Sequence, residues 1–513
     1  SRMKKRWFLY TALAAALAAS PSTAWAAQED GTQTASPSDA VAQEEKAWGW
    51  KQEEDGRWYY LERSGERLTD DWIRTENGYY FYLDSDGYMV TDTIIEDGDD
   101  LYYVDVNGCR VTNQWVSRPN EDDECEQDVH TLWYYFGRHG RAERTEGKTV
   151  YIPNSSGERQ KYFFDDDGHM LTGWQSITNS SGDVDTYYLG DENQGYAHLM
   201  WQYIQPDYEF MEETDEDYDG YEMFYFGWDG KMTYGEESEL ENEHYIFDEN
   251  GVRLTGWQPG ITPTDPALGI NKYYDTETGI RASGWLFAYD PDSEETGDPH
   301  WFYCDEDDGL LYNEGGRDSE GEGGLSFKKI DGHTYFFDNR GRLITGLIDT
   351  ENQAIDESPF TENGWEEYFG DIGKGGTKKP AGIYYLSQNE STLGQMEEDG
   401  KLTLRDGGEA YHYYISTSGK AYANALVDGC IYGADGVRIE SESGWELITL
   451  EDDVYEESSF RRGDLEEDAK PVIAAGTDVA INASGKVRKD GTVKIDGVRY
   501  EISDYAAQEA EEE

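Results

Sequence analysis

The chain has 513 residues, length enough for two to four ordinary domains, yet 14% of them are aromatic, 57 are glycine and mean hydropathy is −0.85. A chain this polar builds its core from aromatic rings packed between turns rather than from aliphatic helices. Asp and Glu number 109 against 42 Lys and Arg, a net charge of −67. Nucleic acid is thereby excluded as a partner, because its phosphates would be repelled, and a neutral or cationic ligand suits the surface better.

At the N-terminus Lys4, Lys5 and Arg6 precede an apolar run from Trp7 to Ala19, and Ala24-Trp25-Ala26 supplies a small-x-small cleavage site. The run is too short to cross a bilayer core of about 30 Å as a helix. Residues 1–26 therefore read as a secretory signal peptide with Met3 as initiator, and residues 27–47, small and polar, as a flexible linker. No later segment is apolar enough for a membrane helix, so no span is expected in the mature chain, and "YAAQEAEEE" at the C-terminus suggests no covalent anchor.

From Trp48 onward one motif returns: "WYYLERSG" at 58–65, "YFYLDSDG" at 80–87, "LYYVDVNG" at 101–108. Trp50 and Trp72 lead the first two copies at a spacing of about twenty residues, the mark of a repeat array. Aromatic strands begin at 58, 80, 101, 133, 161, 186, 223, 244, 272, 301, 334, 383 and 412. Acidic insertions of varied length, such as 117–130 and 205–220, separate them, as surface loops on a repeating scaffold would.

Each copy is predicted to be a strand, a tight Gly/Asp/Asn turn and a second short strand. Alternation puts positions two and four of the strand on one face, apolar in pairs such as Tyr59/Leu61, Phe81/Leu83 and Tyr162/Phe164, with Asp275 breaking the pattern. Position three is aromatic on the opposite face, while position one varies from Trp58, Trp133 and Trp301 to Lys161, Thr186 and Lys272. A lone hairpin is marginal in water, so the copies must bury one another. The expected fold is all-β: an elongated β-hairpin solenoid of tandem aromatic-rich repeats over 48–437. An acidic C-terminal region, 438–513, follows, in which "KIDGVRYEIS" reads as a degenerate capping repeat.

Gly49-Trp50 with "GRWYYLERSGERLTDDW", together with "KYFFDDDGHMLTGW" and "FKKIDGHTYFFDNRGRLITG" (327–346), resembles the cell-wall-binding repeat family of choline-binding type, which includes glucan-binding and clostridial toxin repeats. The resemblance covers 48–437. It implies a secreted protein at the surface of a Gram-positive-type bacterium that holds choline-bearing teichoic acid or a carbohydrate polymer. It also implies where a ligand sits: in a cage between neighbouring hairpins, which grips a quaternary ammonium by cation–π attraction. The cage comprises the Gly-Trp tryptophan, the position-one aromatic of the same copy, and an aromatic plus a Met from the next. Carried over, the sets are Trp50, Trp58, Tyr82 and Met89; Trp115, Trp133, Phe163 and Met170; and Trp285, Trp301, Phe336 and Leu343. Beside Trp72, Tyr80 and Tyr103 the Met position holds Arg110, whose charge would repel choline, and copies with Lys161, Thr186 or Lys272 at position one are expected to be structural only.

Four cysteines (Cys109, Cys125, Cys304, Cys430) without a Cys-x-x-Cys pair argue against a disulfide scaffold and against zinc, leaving Cys109–Cys125 as a conceivable bridge. Gly147-Lys148-Thr149 ends like a phosphate-binding loop, but Ala142 stands where its first glycine belongs. Asp215, Asp217, Asp219 and Gly220 match the first half of a calcium loop, whereas Phe226 occupies the place of the bidentate Glu. No cofactor is expected, calcium near those three aspartates being the one exception considered. With no His-Glu-x-x-His or Gly-x-Ser-x-Gly motif, the expected function is non-catalytic binding of a cell-wall polymer or glycan. The alternatives are an accessory part of a cell-wall hydrolase or glucan-processing enzyme, and a protein–protein adhesin scaffold.

Overall fold

A computed structural model describes residues 47–121, 130–144, 147–207, 211, 220–258, 272–289, 297–313, 324–338, 340–351, 372–373 and 378–510. The signal peptide, the linker up to residue 46, Cys125 and the aspartates 215, 217 and 219 lie outside the described residues. The chain divides into two compact units between Leu254 and Thr255, and the same hairpin plan recurs within each.

A strand forms at each of the thirteen expected places. Its partner, however, is the strand before it rather than the one after. Gly49–Gln52 pairs antiparallel with Trp58–Leu61, Asp71–Arg74 with Tyr80–Leu83, and Gln114–Pro119 with Thr131–Phe136. The tight turn that follows the aromatic strand closes only a single bridge, such as Leu61↔Arg67 or Leu83↔Met89. Register is set by cross-strand ring pairs on one face. Position three lies opposite the tryptophan and position four opposite the glycine before it, as in Trp50↔Tyr60 and Gly49↔Leu61, or Trp285↔Tyr303 and Gly284↔Cys304. The anomaly at Asp275 disappears on this register: Gly256 faces Tyr274 and Trp257 faces Tyr273. That copy is shifted by one residue, and Tyr274 is its buried position four.

The aspartates of the tight turns are structural. Asp84 Oδ1 accepts from the backbone N–H of Asp86 (3.0 Å) and Tyr88 (2.8 Å), and Asp105 Oδ1 does the same for Asn107 and Cys109 (both 2.9 Å). Each is an Asx-type turn in which the carboxylate stands in for a backbone acceptor. Part of the negative charge therefore belongs to the repeat itself.

Consecutive hairpins are tied by backbone. The residue six after position four (position ten of the copy) donates to the position-one carbonyl of the copy before: Met89 to Trp58 (2.8 Å), Arg110 to Tyr80 (2.9 Å), Met170 to Trp133 (2.8 Å), Leu343 to Trp301 (2.7 Å). Its side chain then runs beneath the turn glycine of the following copy. A Cβ on Gly108, at φ +81°, would come within 2.9 Å of Met89 Cε and 3.1 Å of the Val90 carbonyl. Glycine is required there both for the left-handed backbone and for the close approach.

Positions two and four are buried, as in Phe81, Leu83, Phe136, Tyr162 and Phe164. Burial extends to the other face as well: Tyr103, Phe163 and Phe336 at position three, and Leu101, Thr334 and Ile383 at position one, are also enclosed. A hairpin packed between two neighbours has no free face. The expected contrast survives where position one is a large ring, Trp58, Trp133 or Trp301, which stays partly exposed.

Beyond the hairpins the "KIDGVRYEIS" segment forms strands Gly491–Ile495 and Val498–Ser503, but as one edge of a five-stranded antiparallel sheet with Ala506–Glu509, Asp478–Asn482 and Trp445–Thr449. Val493, Ile495, Ile502 and Ala480 fill one face of it. Aliphatic strand residues pack sheet-wise here, where the aromatic copies pack hairpin on hairpin. Among the described residues no helix is long and apolar enough to cross a membrane.

Candidate functional site

The register decides which rings meet. The tryptophan, position three and position one of a copy share one face, because Trp115 lies opposite Tyr135 and Trp133 is two residues from Tyr135. Opposing that face are positions two and four of the next copy. The third wall of each expected cage is therefore position two. Trp50 meets Phe81 at 5.4 Å between ring centroids, Trp115 meets Tyr162 at 5.0 Å, and Trp285 meets Tyr335 at 4.8 Å. Three expected members are corrected accordingly. Tyr82 packs on its own copy's Trp72 (5.1 Å), Phe163 on Tyr187 (4.9 Å) and Phe336 on Tyr384 (5.2 Å). The period-two alternation already carried this signal, since side chains one residue apart on a strand cannot serve the same face.

In the second and third sets the two expected tryptophans come together. Trp115 and Trp133 stand edge to face at 6.4 Å and 82°, and Trp285 and Trp301 at 6.4 Å and 85°. Met170 and Leu343 are tied by backbone to the position-one tryptophans of these two sets, and Met89 to Trp58 in the first. Phe287, exposed and 5.0 Å from Trp301, extends the third set outward. Burial raises the Tyr162 phenol well above its ordinary range and shifts the Tyr335 phenol upward as well, so both rings are neutral at physiological pH. The walls offer π faces and no formal charge.

The second set is partly covered. Trp115, Trp133, Tyr162 and Met170, with Asn193 and Gln194, enclose about 10 Å³, room for roughly one water. Asn193 and Gln194 come from a turn tied together by Asn193 N–H to Asp191 (2.9 Å) and Asp191 N–H to Gln194 (3.2 Å). Sequence reasoning missed this cover, which is specific to the 190–196 turn.

A different box is already filled. Arg110 Cζ lies 3.8 Å from the Tyr80 ring centroid and 5.2 Å from both Trp72 and Tyr102. Here too the partner is position two, Tyr102, and not the expected Tyr103, which instead stacks with Phe136 and donates to Asp92 (2.5 Å). Arg67, at position ten of its own copy, likewise lies over Tyr59 (4.0 Å) and Tyr88 (4.9 Å).

Among the described residues Asp165, Asp167 and His169 form a group close enough to share a cation. Asp165 is already engaged, accepting from the Asp167 and His169 amides and from His169 Nδ1 (2.9 Å), while His169 Nε2 meets the Tyr134 hydroxyl (2.9 Å). The group is a cross-braced turn.

No family model matches the chain. In sequence it is similar to glucosyltransferase-S of Streptococcus mutans, 25% identical over 312 residues, or 54% of this chain and 18% of that protein. It is also similar to glucosyltransferase-S of Streptococcus downei, 26% identical over 244 residues, 47% of this chain and 12% of that one. The chain spans less than a fifth of the length of these curated relatives. Solved structures similar to this repeat chain include the modular autolysin LytC of Streptococcus pneumoniae in complex with a synthetic peptidoglycan ligand, with 18% identity, TM-score 0.34, 60% of this chain and 56% of that one covered. Another is CbpJ of the same organism, with 19% identity, TM-score 0.27, and 76% and 100% covered.

Proposed function

We propose that the chain is a secreted, non-catalytic binding protein that holds a cell-wall polymer or glycan in aromatic boxes between consecutive hairpins, the hairpins continuing as an elongated solenoid within each unit. One observation carries the reading. The same three-walled box, two tryptophans edge to face at 6.4 Å with a position-two tyrosine as third wall, is built at Trp115/Trp133/Tyr162 and again at Trp285/Trp301/Tyr335. Packing alone does not require a second tryptophan at position one, where Thr186 and Lys161 serve other copies. Rings of this kind suit a quaternary ammonium by cation–π attraction or a sugar by stacking. The partial match to glucosyltransferase-S favours, as second reading, a binding segment that serves a glucan-processing enzyme.

The test is retention of the full chain and of Trp133→Ala and Trp301→Ala on choline and on dextran matrices. Losing one ring should cost about 0.5–2 kcal/mol at that box, or roughly 2- to 30-fold in affinity. A choline ligand should be weakened by salt, since the acidic surface adds long-range attraction, and a neutral glycan should not. Unchanged retention of both variants on both matrices would refute the boxes as sites. Cleavage of labelled peptidoglycan or glucan by the purified chain would refute the non-catalytic part.

A further inference from the structure

The chain is strongly acidic, so a free guanidinium has carboxylates to choose from. Arg110 takes rings instead. Its Cζ is surrounded by Trp72, Tyr80 and Tyr102 at 3.8–5.2 Å. Its Nε is buried without a hydrogen-bond acceptor, and among the described residues it forms no ion pair. Its stem runs beneath Gly140, where an added Cβ would lie 3.0 Å from Nε. The box has the parts of the three sets above: Trp72 of one copy, position-one Tyr80 of the same copy, position-two Tyr102 of the next, and position ten. Only the position-ten residue differs in kind, Arg110 against Met89, Met170 and Leu343.

We propose that Arg110 is a built-in cation that occupies the Trp72–Tyr80–Tyr102 box, so that the position-ten side chain decides which boxes accept an external quaternary ammonium. An uncharged Met or Leu leaves the π faces unsatisfied and the floor apolar, whereas an arginine presents its own planar cation to the same rings. The inference rests on the boxes being cation sites but concerns a box the proposed function leaves unused. It makes position ten one determinant of the number of sites, beside covers such as the 190–196 turn, wherever a Trp, a position-one ring and a position-two ring coincide.

The test is choline stoichiometry of the full chain by calorimetry for the wild type, Arg110→Met and Arg110→Lys, with fold checked by near-ultraviolet circular dichroism. Arg110→Met should bind one more choline per chain than the wild type, and Arg110→Lys should bind the same number as the wild type. An unchanged stoichiometry in a folded Arg110→Met chain would overturn the inference. A wild type that binds no choline would refute the open boxes as choline sites, and a single site gained by Arg110→Met in that background would still uphold the plug. Should that variant not fold, the wild type decides alone. Side-chain protons of Arg110 must show strong upfield ring-current shifts that added choline leaves in place, and ordinary shifts for them would overturn the inference.

Discussion

Phe164→Ala separates hairpin core from box wall. Phe164 is 1% exposed, packs with Ile152 and Tyr162, and stacks on Trp115 at 5.9 Å and 29°. It sits where neighbouring rings are held by two strands and a backbone tie, so the surroundings cannot collapse into the space left. Phe→Ala at such a site costs about 3–5 kcal/mol. In a repeat chain each copy leans on its neighbours, and the loss is expressed locally rather than as one global transition. Native-state hydrogen exchange is the suitable assay. Amides of Thr131–Phe136 and Arg159–Tyr162 should exchange roughly 10²- to 5 × 10³-fold faster, or up to whatever ceiling global unfolding sets. Hairpins more than one copy away should be little changed. Thr186→Ala is the control: Thr186 is half-buried at position one, opposite Ser176, and its loss should stay within about 0.5 kcal/mol. Equal acceleration for the two variants, or an undisturbed 131–162 region in Phe164→Ala, would refute the assignment of positions two and four to the core.

The brace at 165–169 should respond to pH from both sides. The hydrogen bond to Asp165 raises the His169 pKa against the opposing effect of burial, so its contribution is complete below the ordinary histidine value of about 6.5 and is lost as pH climbs through the raised value. Burial disfavours the Asp165 carboxylate, but the His169 ring and backbone N–H groups outweigh it and hold the pKa below its ordinary value of about 3.9. Its contribution is therefore present above that value and lost as pH falls through the lowered one. Exchange protection of this turn should peak near pH 5–6, and His169→Gln should flatten the alkaline side; a profile identical in the variant would remove the brace from the account. Cys304 is fully buried and its thiol is pushed up to about 12 by burial, so maleimide at pH 8 should label it only on unfolding. Cys109, partly exposed and pushed up to about 11, should label slowly in the folded chain, and prompt labelling of Cys304 would show that its copy opens.

The repeat was legible in the chain because its causes are local. Alternation within "YFYLDSDG" and its kin gives the strand, and an aspartate three residues ahead of a glycine gives the turn, since Asp84 captures the amides of Asp86 and Tyr88 without help from elsewhere. The tryptophans and position-one rings of the second and third boxes could be named for the same reason: Trp133 and Trp301 stand out against Lys161 and Thr186 in an otherwise constant motif. Which strand each aromatic strand pairs with was not local. The turn after it is short in every copy, whereas the connection before it ranges from a tight turn to the long stretch between Ile204 and Glu222, so chain proximity points to the wrong partner. Cross-strand pairing of Trp50 with Tyr60 settles that choice in favour of the upstream strand. The same pairing turns position three toward its own copy's tryptophan and leaves Phe81, Tyr162 and Tyr335 to face the preceding one. Arg110 shows the limit most plainly. From sequence it is a charge that spoils a choline cage; only the stacking of one copy on the next brings three rings around it, because a guanidinium follows whichever π faces tertiary packing places within its reach.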